Sequence, residues 1–375
     1  MATPSLDAGL KRKIYQMGQE TPRLLNRDIA SKLQVSIGTV NNYRDVRPKD
    51  YGSEDISTAL KTILRKTPKT VQELAKDLHC KVADVRAAIS QGKAKGVIFV
   101  ELPGSMYALG GAESLEKKHW TLNGDAKDRY AHRFGFITDN HLCNKHSRID
   151  VLNAAYDRYE AEGITTVFNG GNWIDGEARF NKNELVVRPG MQAQIDYMVQ
   201  EYPQRKGIRT CYVAGDDHEG WYQQREGIEI GKHLQNEARD AGREDLAYLG
   251  YGEADVSLKM KHGESTLRLV HAGGGSAYAL SYTVQKLVES YQGGEKPQIL
   301  LVGHYHKFDY CYPREVHTIQ GGCTTDQSLF LRKNKIQVMV GYCIVNVRQD
   351  EDGIIRGVEI EWSPYYDRKF YENRY

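Results

Sequence analysis

The stretch Val213-Ala214-Gly215-Asp216-Asp217-His218-Glu219-Gly220 decides how this chain reads. An apolar strand end passes through one glycine straight into two carboxylates, a histidine and a third carboxylate. Four other segments take the same form. Asp139-Asn140-His141 follows Phe136-Ile137, Asn172 and Asp175 follow Val167-Phe168, His271 closes Leu267-Arg268-Leu269-Val270, and His304-Tyr305-His306 follows Ile299-Leu300-Leu301-Val302. Helical stretches at 148–162 and 189–202 separate some of these runs. Short apolar runs alternating with helices predict an α/β sandwich, with all five polar clusters at one edge of a sheet. A closing hairpin is expected from Cys343–Arg348, the turn Asp352-Gly353 and Ile354–Trp362.

Carboxylate, amide and imidazole groups gathered in this way suit a pair of divalent cations and leave room for water. Manganese is the first expectation, with iron, zinc and magnesium as alternatives. The reaction class that follows is phosphoester hydrolysis. A single histidine such as His271 is more often a core or surface residue than a ligand. The order of the five clusters along the chain is what carries weight.

That order resembles the calcineurin-like metallophosphoesterase family, whose motifs run D-x-H, G-D-x-x-D, G-N-H-D/E, a lone H and G-H-x-H. The resemblance covers roughly residues 130 to 362. It implies a four-layer α/β/β/α metallophosphoesterase sandwich over 131–375. It also implies that Asp139, His141 and His306 hold one metal, that His271 and His304 hold the second, and that His218 is a general acid or positions the phosphate. Two positions depart from the pattern. The second motif reads Gly171-Asn172-Trp173-Ile174-Asp175, so Asn172 stands where the family has a bridging aspartate, and Asp217 stands where it has an asparagine ligand. The expectation is that the bridging charge moves to Asp217, which joins His218 in the catalytic set, while Asn172 serves as a neutral carbonyl ligand.

The front of the chain is of another kind. Residues 1–110 hold 18 Lys and Arg against 11 Asp and Glu, a balance of +7, which leaves 33 against 38, or −5, for the rest of a 375-residue chain. A basic front and an acidic rear suggest a polyanion binder joined to a cation binder. Within 1–50, Asn26 is placed to cap a helix carrying Ile29, Ala30 and Leu33, and Ser36 to cap a second helix after the turn at Val35. This resembles a helix-turn-helix whose exposed Thr39, Asn41, Asn42 and Arg44 are of types that read bases or hold phosphates.

Within 51–112, a helix at 53–66, a capping box at Thr70 and Glu73, a helix at 82–89 and a hairpin through Pro103-Gly104-Ser105 resemble a winged helix. Arg86, Lys93 and Lys95 are its candidate DNA contacts. Residues 113–130 are polar and expected to be a linker.

Six cysteines lack any short paired spacing, which argues against a disulfide framework or zinc knuckle and for reduced thiols. No apolar run reaches membrane-span length and no signal-peptide pattern opens the sequence, so a cytoplasmic protein without a membrane partner is expected. A homo-oligomer is one option. The fused units tip a two-metal phosphoesterase towards DNA, most simply an endonuclease that nicks near a bound site. A structure-directed exonuclease, a small-molecule phosphodiesterase and a DNA-binding regulator with a decayed site are the alternatives.

Overall fold

The computed structural model describes residues 25–43, 53–111, 114–115, 119–177, 184–275 and 277–365, with a few positions between 10 and 17. The chain divides into two compact units, 1–110 and 111–375.

In the first unit, α1 (Asn26–Leu33) and α2 (Ile37–Tyr43) bury Ile29, Ala30 and Val40 together. Ser36 caps α2 as expected, accepting the Thr39 N–H at 3.0 Å. Asn26 does not cap α1. Leu25 holds that position, and the Asn26 amide instead donates to Asn41 Oδ1 at 2.6 Å. A side chain already inside the first turn finds its partner on the neighbouring helix rather than on its own free N–H groups.

Further on come α3 (Ser53–Leu64), β1 (Lys69–Thr70), α4 (Val71–Asp77), α5 (Val82–Ala94), β2 (Phe99–Leu102) and β3 (Met106–Leu109). The three strands pair antiparallel in the order β1-β3-β2. The capping box forms, with Glu73 accepting from the Thr70 N–H and Thr70 Oγ1 accepting from the Glu73 N–H. Leu60, Leu64, Leu74, Val85 and Ile89 are buried, whereas Arg86, Lys93 and Lys95 stand in water. Arg44, the segment 47–52 and the aromatic tail beyond Tyr365 lie outside the described residues, as does the side chain of Asn42.

The second unit is built on two six-stranded sheets. One runs β15-β14-β5-β6-β7-β8 and the other β12-β13-β11-β10-β9-β4. The first comprises β5 (His132–Ile137), β6 (Thr166–Asn169), β7 (Arg209–Ala214), β8 (Leu246–Tyr251), β14 (Gly341–Gln349) and β15 (Ile355–Pro364). The second comprises β4 (Trp120–Asn123), β9 (Glu253–Lys259), β10 (Glu264–His271), β11 (Ile299–Gly303), β12 (Phe308–Cys311) and β13 (His317–Gly321). Strands β5 to β8 are mutually parallel, as are β10, β11 and β13. The segment expected as a linker therefore contributes β4, which pairs parallel with β9 and donates Trp120 Nε1–H to Leu249 O at 3.3 Å. Its alternation of half-buried Trp120 and Leu122 with exposed Thr121 and Asn123 is that of an edge strand.

Alternation within the apolar runs fixes the layers. Phe134 and Phe136 of β5, Val213 of β7, Leu267 and Leu269 of β10 and Leu301 of β11 fill the space between the sheets. Their neighbours Ile137, Tyr212 and Ala214 face helices α6 (Ile149–Ala161), α7 (Met191–Glu201), α8 (Glu219–Glu226) and α9 (Ile230–Asp240). Val270, Leu300 and Val302 face Val284 and Val288 of α10 (Tyr282–Ser290). Covered on both faces, these strands need near-continuous apolar sequence. The result is the four-layer α/β/β/α sandwich, closed by the β14–β15 hairpin.

His132, at the start of β5, is buried far from water, which lowers its pKa to about 4 against a partial opposing effect of Gln349. A folded pKa below the ordinary 6.5 means that the unfolded chain takes up the proton more readily. The stabilisation is thus complete above pH 6.5 and is lost as pH falls towards 4, on the order of 3 kcal/mol in all. Urea unfolding across this window should show a shallower loss of stability on acidification for His132→Asn than for the parent chain; equal slopes would remove His132 as the cause.

Candidate metal centre

Strands β5, β6, β7, β10 and β11 all deliver their C-terminal ends to one edge, where the chain must turn at once. It does so with left-handed backbone. Asp139 (φ 52°), His141 (45°), Asn172 (50°), His304 (92°) and His306 (56°) all have positive φ, a conformation uncommon for non-glycine residues and here concentrated at one edge. Hydrogen bonds from loop to loop lock these turns. The Asp139 N–H donates to Gly171 O, the His141 N–H to Asn172 O and the Met339 N–H to His306 O.

The turns gather six polar side chains into two groups of three, with Asn172 beside them. Asp139, His141 and His306 present ligand atoms to one another, with His306 Nε2 3.4 Å from Asp139 Oδ1 and 3.1 Å from His141 Nε2. Asp217, His271 and His304 form the second, with His271 Nε2 3.5 Å from Asp217 Oδ1 and His304 Nδ1 3.5 Å from Asp217 Oδ2. Asn172 stands between them. Its Nδ2 is 3.3 Å from Asp139 Oδ1, while its Oδ1 is buried without a partner against Gly215, the residue that also abuts His271. Asp217 thus belongs with His271 and His304, while Asn172 touches the first group through Asp139 and lies against Gly215 beside the second.

The donor set fits divalent cations. His271 Nε2 and His304 Nδ1 are buried without hydrogen-bond partners, an arrangement costly unless something electrophilic meets them. Their opposite nitrogens are engaged, because His271 Nδ1–H donates to Gly170 O at 2.7 Å and His304 Nε2–H to Gly274 O at 2.8 Å. Such back-side bonds fix the tautomer and leave a lone pair facing the site. His141 is held likewise, its Nδ1 3.2 Å from Asp175 Oδ1. Each group offers two imidazoles and one carboxylate, the residues that would hold one cation apiece with open positions for water and substrate oxygens.

Charges follow the same plan. Burial pushes the Asp217 carboxyl up, but His271 and His304 hold it far below the ordinary carboxylate range, and His306 does the same for Asp139. Against its own burial, metal-free His271 is lifted to about 9 by Asp217 and Asp139, so its Nε2 holds a proton that a bound cation would displace to gain the lone pair. Burial, together with neighbouring His218, lowers His141 to about 4. His218 is raised to about 8 despite burial, through Asp175 and Asp217.

His218 meets the His141 ring edge to face at 4.3 Å and donates Nδ1–H to Asp175 O at 2.7 Å. It lines, with His141, Asn172, Asp217, His304 and His306, a cavity of about 330 Å3. Sequence reasoning left two supporting residues out of the candidate site. Asp175 takes His141 Nδ1–H and Asn144 Nδ2–H on its two oxygens, and Glu219 Oε1 accepts the N–H groups of Asn172 (2.9 Å) and Gly215 (2.8 Å). Asp175 carried a signal, as the final residue of the second motif. Glu219 carried the same kind of signal, as the final residue of the third motif.

No protein-family model matches this chain, and no curated protein matches it either. Solved structures similar to it include a novel archaeal phosphodiesterase (10% identity, TM-score 0.34, 62% of this chain and 100% of that one). A predicted phosphoesterase from Streptococcus pneumoniae TIGR4 is similar at 11% identity and TM-score 0.28, over 62% and 97%. Wild-type Vps29 complexed with zinc, from Entamoeba histolytica, is similar at 12% identity and TM-score 0.30, over 62% and 99%. At such scores the likeness carries no functional weight of its own.

A Cβ added to Gly215 would lie 2.7 Å from both Asn172 Oδ1 and His271 Cδ2, so that Gly215→Ala must displace a member of the second group. Calorimetric titration with Mn2+ should show at least tenfold weaker binding for Gly215→Ala at one class of site, with the binding that depends on Asp139 retained. Undiminished binding would show that the group tolerates the shift.

Proposed function

We propose that this chain is a metal-dependent phosphodiesterase that acts on DNA, most simply as an endonuclease. The observation that carries the reading is the pair of carboxylate–imidazole groups, Asp139/His141/His306 and Asp217/His271/His304, tied by the His304 N–H to Asp139 and opening on one cavity with His218 and Asn172. Divalent cations held there, manganese first among the candidates, would supply Lewis-acid polarisation of a phosphoryl group and activation of a water.

The chain's own residues do the rest. Gly170 O, Gly274 O and Asp175 hold the imidazoles with their free nitrogens turned inward, so that the donor geometry is in place before substrate arrives. His218, anchored through Nδ1–H to Asp175 O, is the proton donor to the departing oxygen.

DNA as substrate is supported by the first unit. Its α-β-α-α-β-β order with a β1-β3-β2 sheet resembles a winged helix, and α5 exposes Arg86 and Lys93 seven residues apart on one face, with Lys95 just beyond. Thr39 and Asn41 of α2 are the corresponding candidates in the helix pair before it, although Asn41 already accepts from Asn26. Cations of this kind hold phosphates and concentrate a duplex near the second unit's chemistry.

Supercoiled plasmid incubated with the chain and Mn2+ should be nicked, and EDTA should abolish nicking. Arg86→Ala with Lys93→Ala should weaken binding across all sequences and flatten its salt dependence by about two units of log–log slope. Plasmid left intact alongside hydrolysis of bis(p-nitrophenyl) phosphate would move the substrate to a small phosphodiester.

The role of His218 has its own test. His218→Ala should lower kcat on DNA by about 10²–10⁴, since the departing alkoxide needs a proton, and cost much less on bis(p-nitrophenyl) phosphate, whose phenolate leaves without one. Equal losses on both substrates would assign His218 to phosphate positioning instead.

A further inference from the structure

One wall of the metal cavity has no part in holding cations. It is formed by Leu185, Phe330, Leu331 and Ile336, which line the same cavity as His218 and Asp217. Phe330 sits on a short helix, α11 (Leu329–Lys333), and is 55% exposed at the cavity's rim. An aromatic ring left half in water beside a catalytic centre has a binding use more often than a packing one.

The segment around it is held firmly. Ser328 Oγ accepts the Leu331 N–H at 3.2 Å, Gln327 Nε2–H donates to Ile336 O at 2.7 Å, and the Asp326 N–H donates to His146 O at 2.9 Å. Asp326 is also paired with Arg148 at 3.0 Å, which neutralises the nearest carboxylate on this wall. The same segment exposes three cations, Arg332, Lys333 and Lys335. An aromatic face beside a metal cavity, on a rigid element carrying exposed positive charge, is complementary to a base and its flanking phosphates.

We propose that α11 is a base-stacking platform, with Phe330 stacking on the nucleobase next to the scissile phosphate and Arg332, Lys333 and Lys335 holding neighbouring phosphates. This rests on the phosphodiesterase reading and narrows its substrate. A base stacks on a side chain only after leaving its own stack, so the strand at the cleavage point is single or locally unpaired. The preferred substrates are accordingly single-stranded DNA and duplexes carrying a bubble or flap.

The test uses the full chain loaded with Mn2+ and a single-stranded oligonucleotide carrying 2-aminopurine, compared with the same sequence as a blunt duplex. Phe330→Ala should raise KM for the single strand about tenfold, the cost of one lost stack, with kcat and Mn2+ affinity unchanged. It should also abolish the fluorescence quenching that accompanies stacking, and Phe330→Trp should restore both. An unchanged KM in Phe330→Ala, or equal cleavage of single strand and blunt duplex, overturns the proposal. Failure to bind or cut the oligonucleotide while bis(p-nitrophenyl) phosphate is hydrolysed overturns it too, yet leaves the phosphodiesterase reading standing. Absence of both hydrolysis and Mn2+ binding overturns the two together.

Discussion

The hydrogen bond from the His304 N–H to Asp139 Oδ2, 2.8 Å long, ties the two sheets together at the edge where the chemistry is placed. Asp139 follows β5 of one sheet and His304 follows β11 of the other, so a single carboxylate sets the spacing between the metal groups. Its other contacts distribute that constraint. Thr138 Oγ1–H donates to the same oxygen at 2.7 Å, the Asp139 N–H reaches Gly171 O, and the Asp139 carbonyl accepts the Thr324 N–H. Loops after four strands thus converge on one fully buried residue. Losing its charge would unsettle the turns before it unsettled any cation.

Glu219 plays a similar part on the far side of the site. One of its oxygens accepts from Asn172 and Gly215 at once, which binds the loops after β6 and β7 into a unit. Burial lifts its carboxyl to about 7, so this tie is made by an acid close to neutrality in a low-dielectric setting. With both loops fixed, Gly171 at φ 96° can pass the His271 ring so closely that a Cβ would lie 2.6 Å from Nδ1. The close approach brings Gly170 O within reach of that nitrogen, and the imidazole is oriented as a consequence.

Much of this was legible in the sequence. Strand ends announce themselves when apolar alternation stops at Asp139, Asn172, Asp217, His271 and His304, because a residue that faces neither core nor helix is chosen for something else. Groups that act through backbone were not legible. Nothing in Gly170 or Gly274 as letters says that their carbonyls will seat an imidazole. Strand β4 was missed because an edge strand of four residues, half exposed, has the polarity of a linker. Asn26 was misjudged because a cap and a first-turn residue differ by one position, and only the neighbouring helix decides between them. The wall around Phe330 was invisible for another reason: five helical residues carry too little periodicity to show which face meets a cavity.

The exchanged amide and carboxylate at 172 and 217 make sense in these terms. A carboxylate at 172 would put a second anion about where Asn172 Nδ2 now lies, 3.3 Å from Asp139 Oδ1. Two buried carboxylates at that separation cannot both ionise without a cation between them. The amide removes the conflict and donates to Asp139 instead, so the loops after β5 and β6 close on each other with or without metal. Asp217 meanwhile lies 3.5 Å from both His271 and His304, so the second group keeps a charge of its own. The arrangement gives each group one carboxylate of its own, and it places an amide where a further carboxylate would make the metal-free chain oppose its own fold.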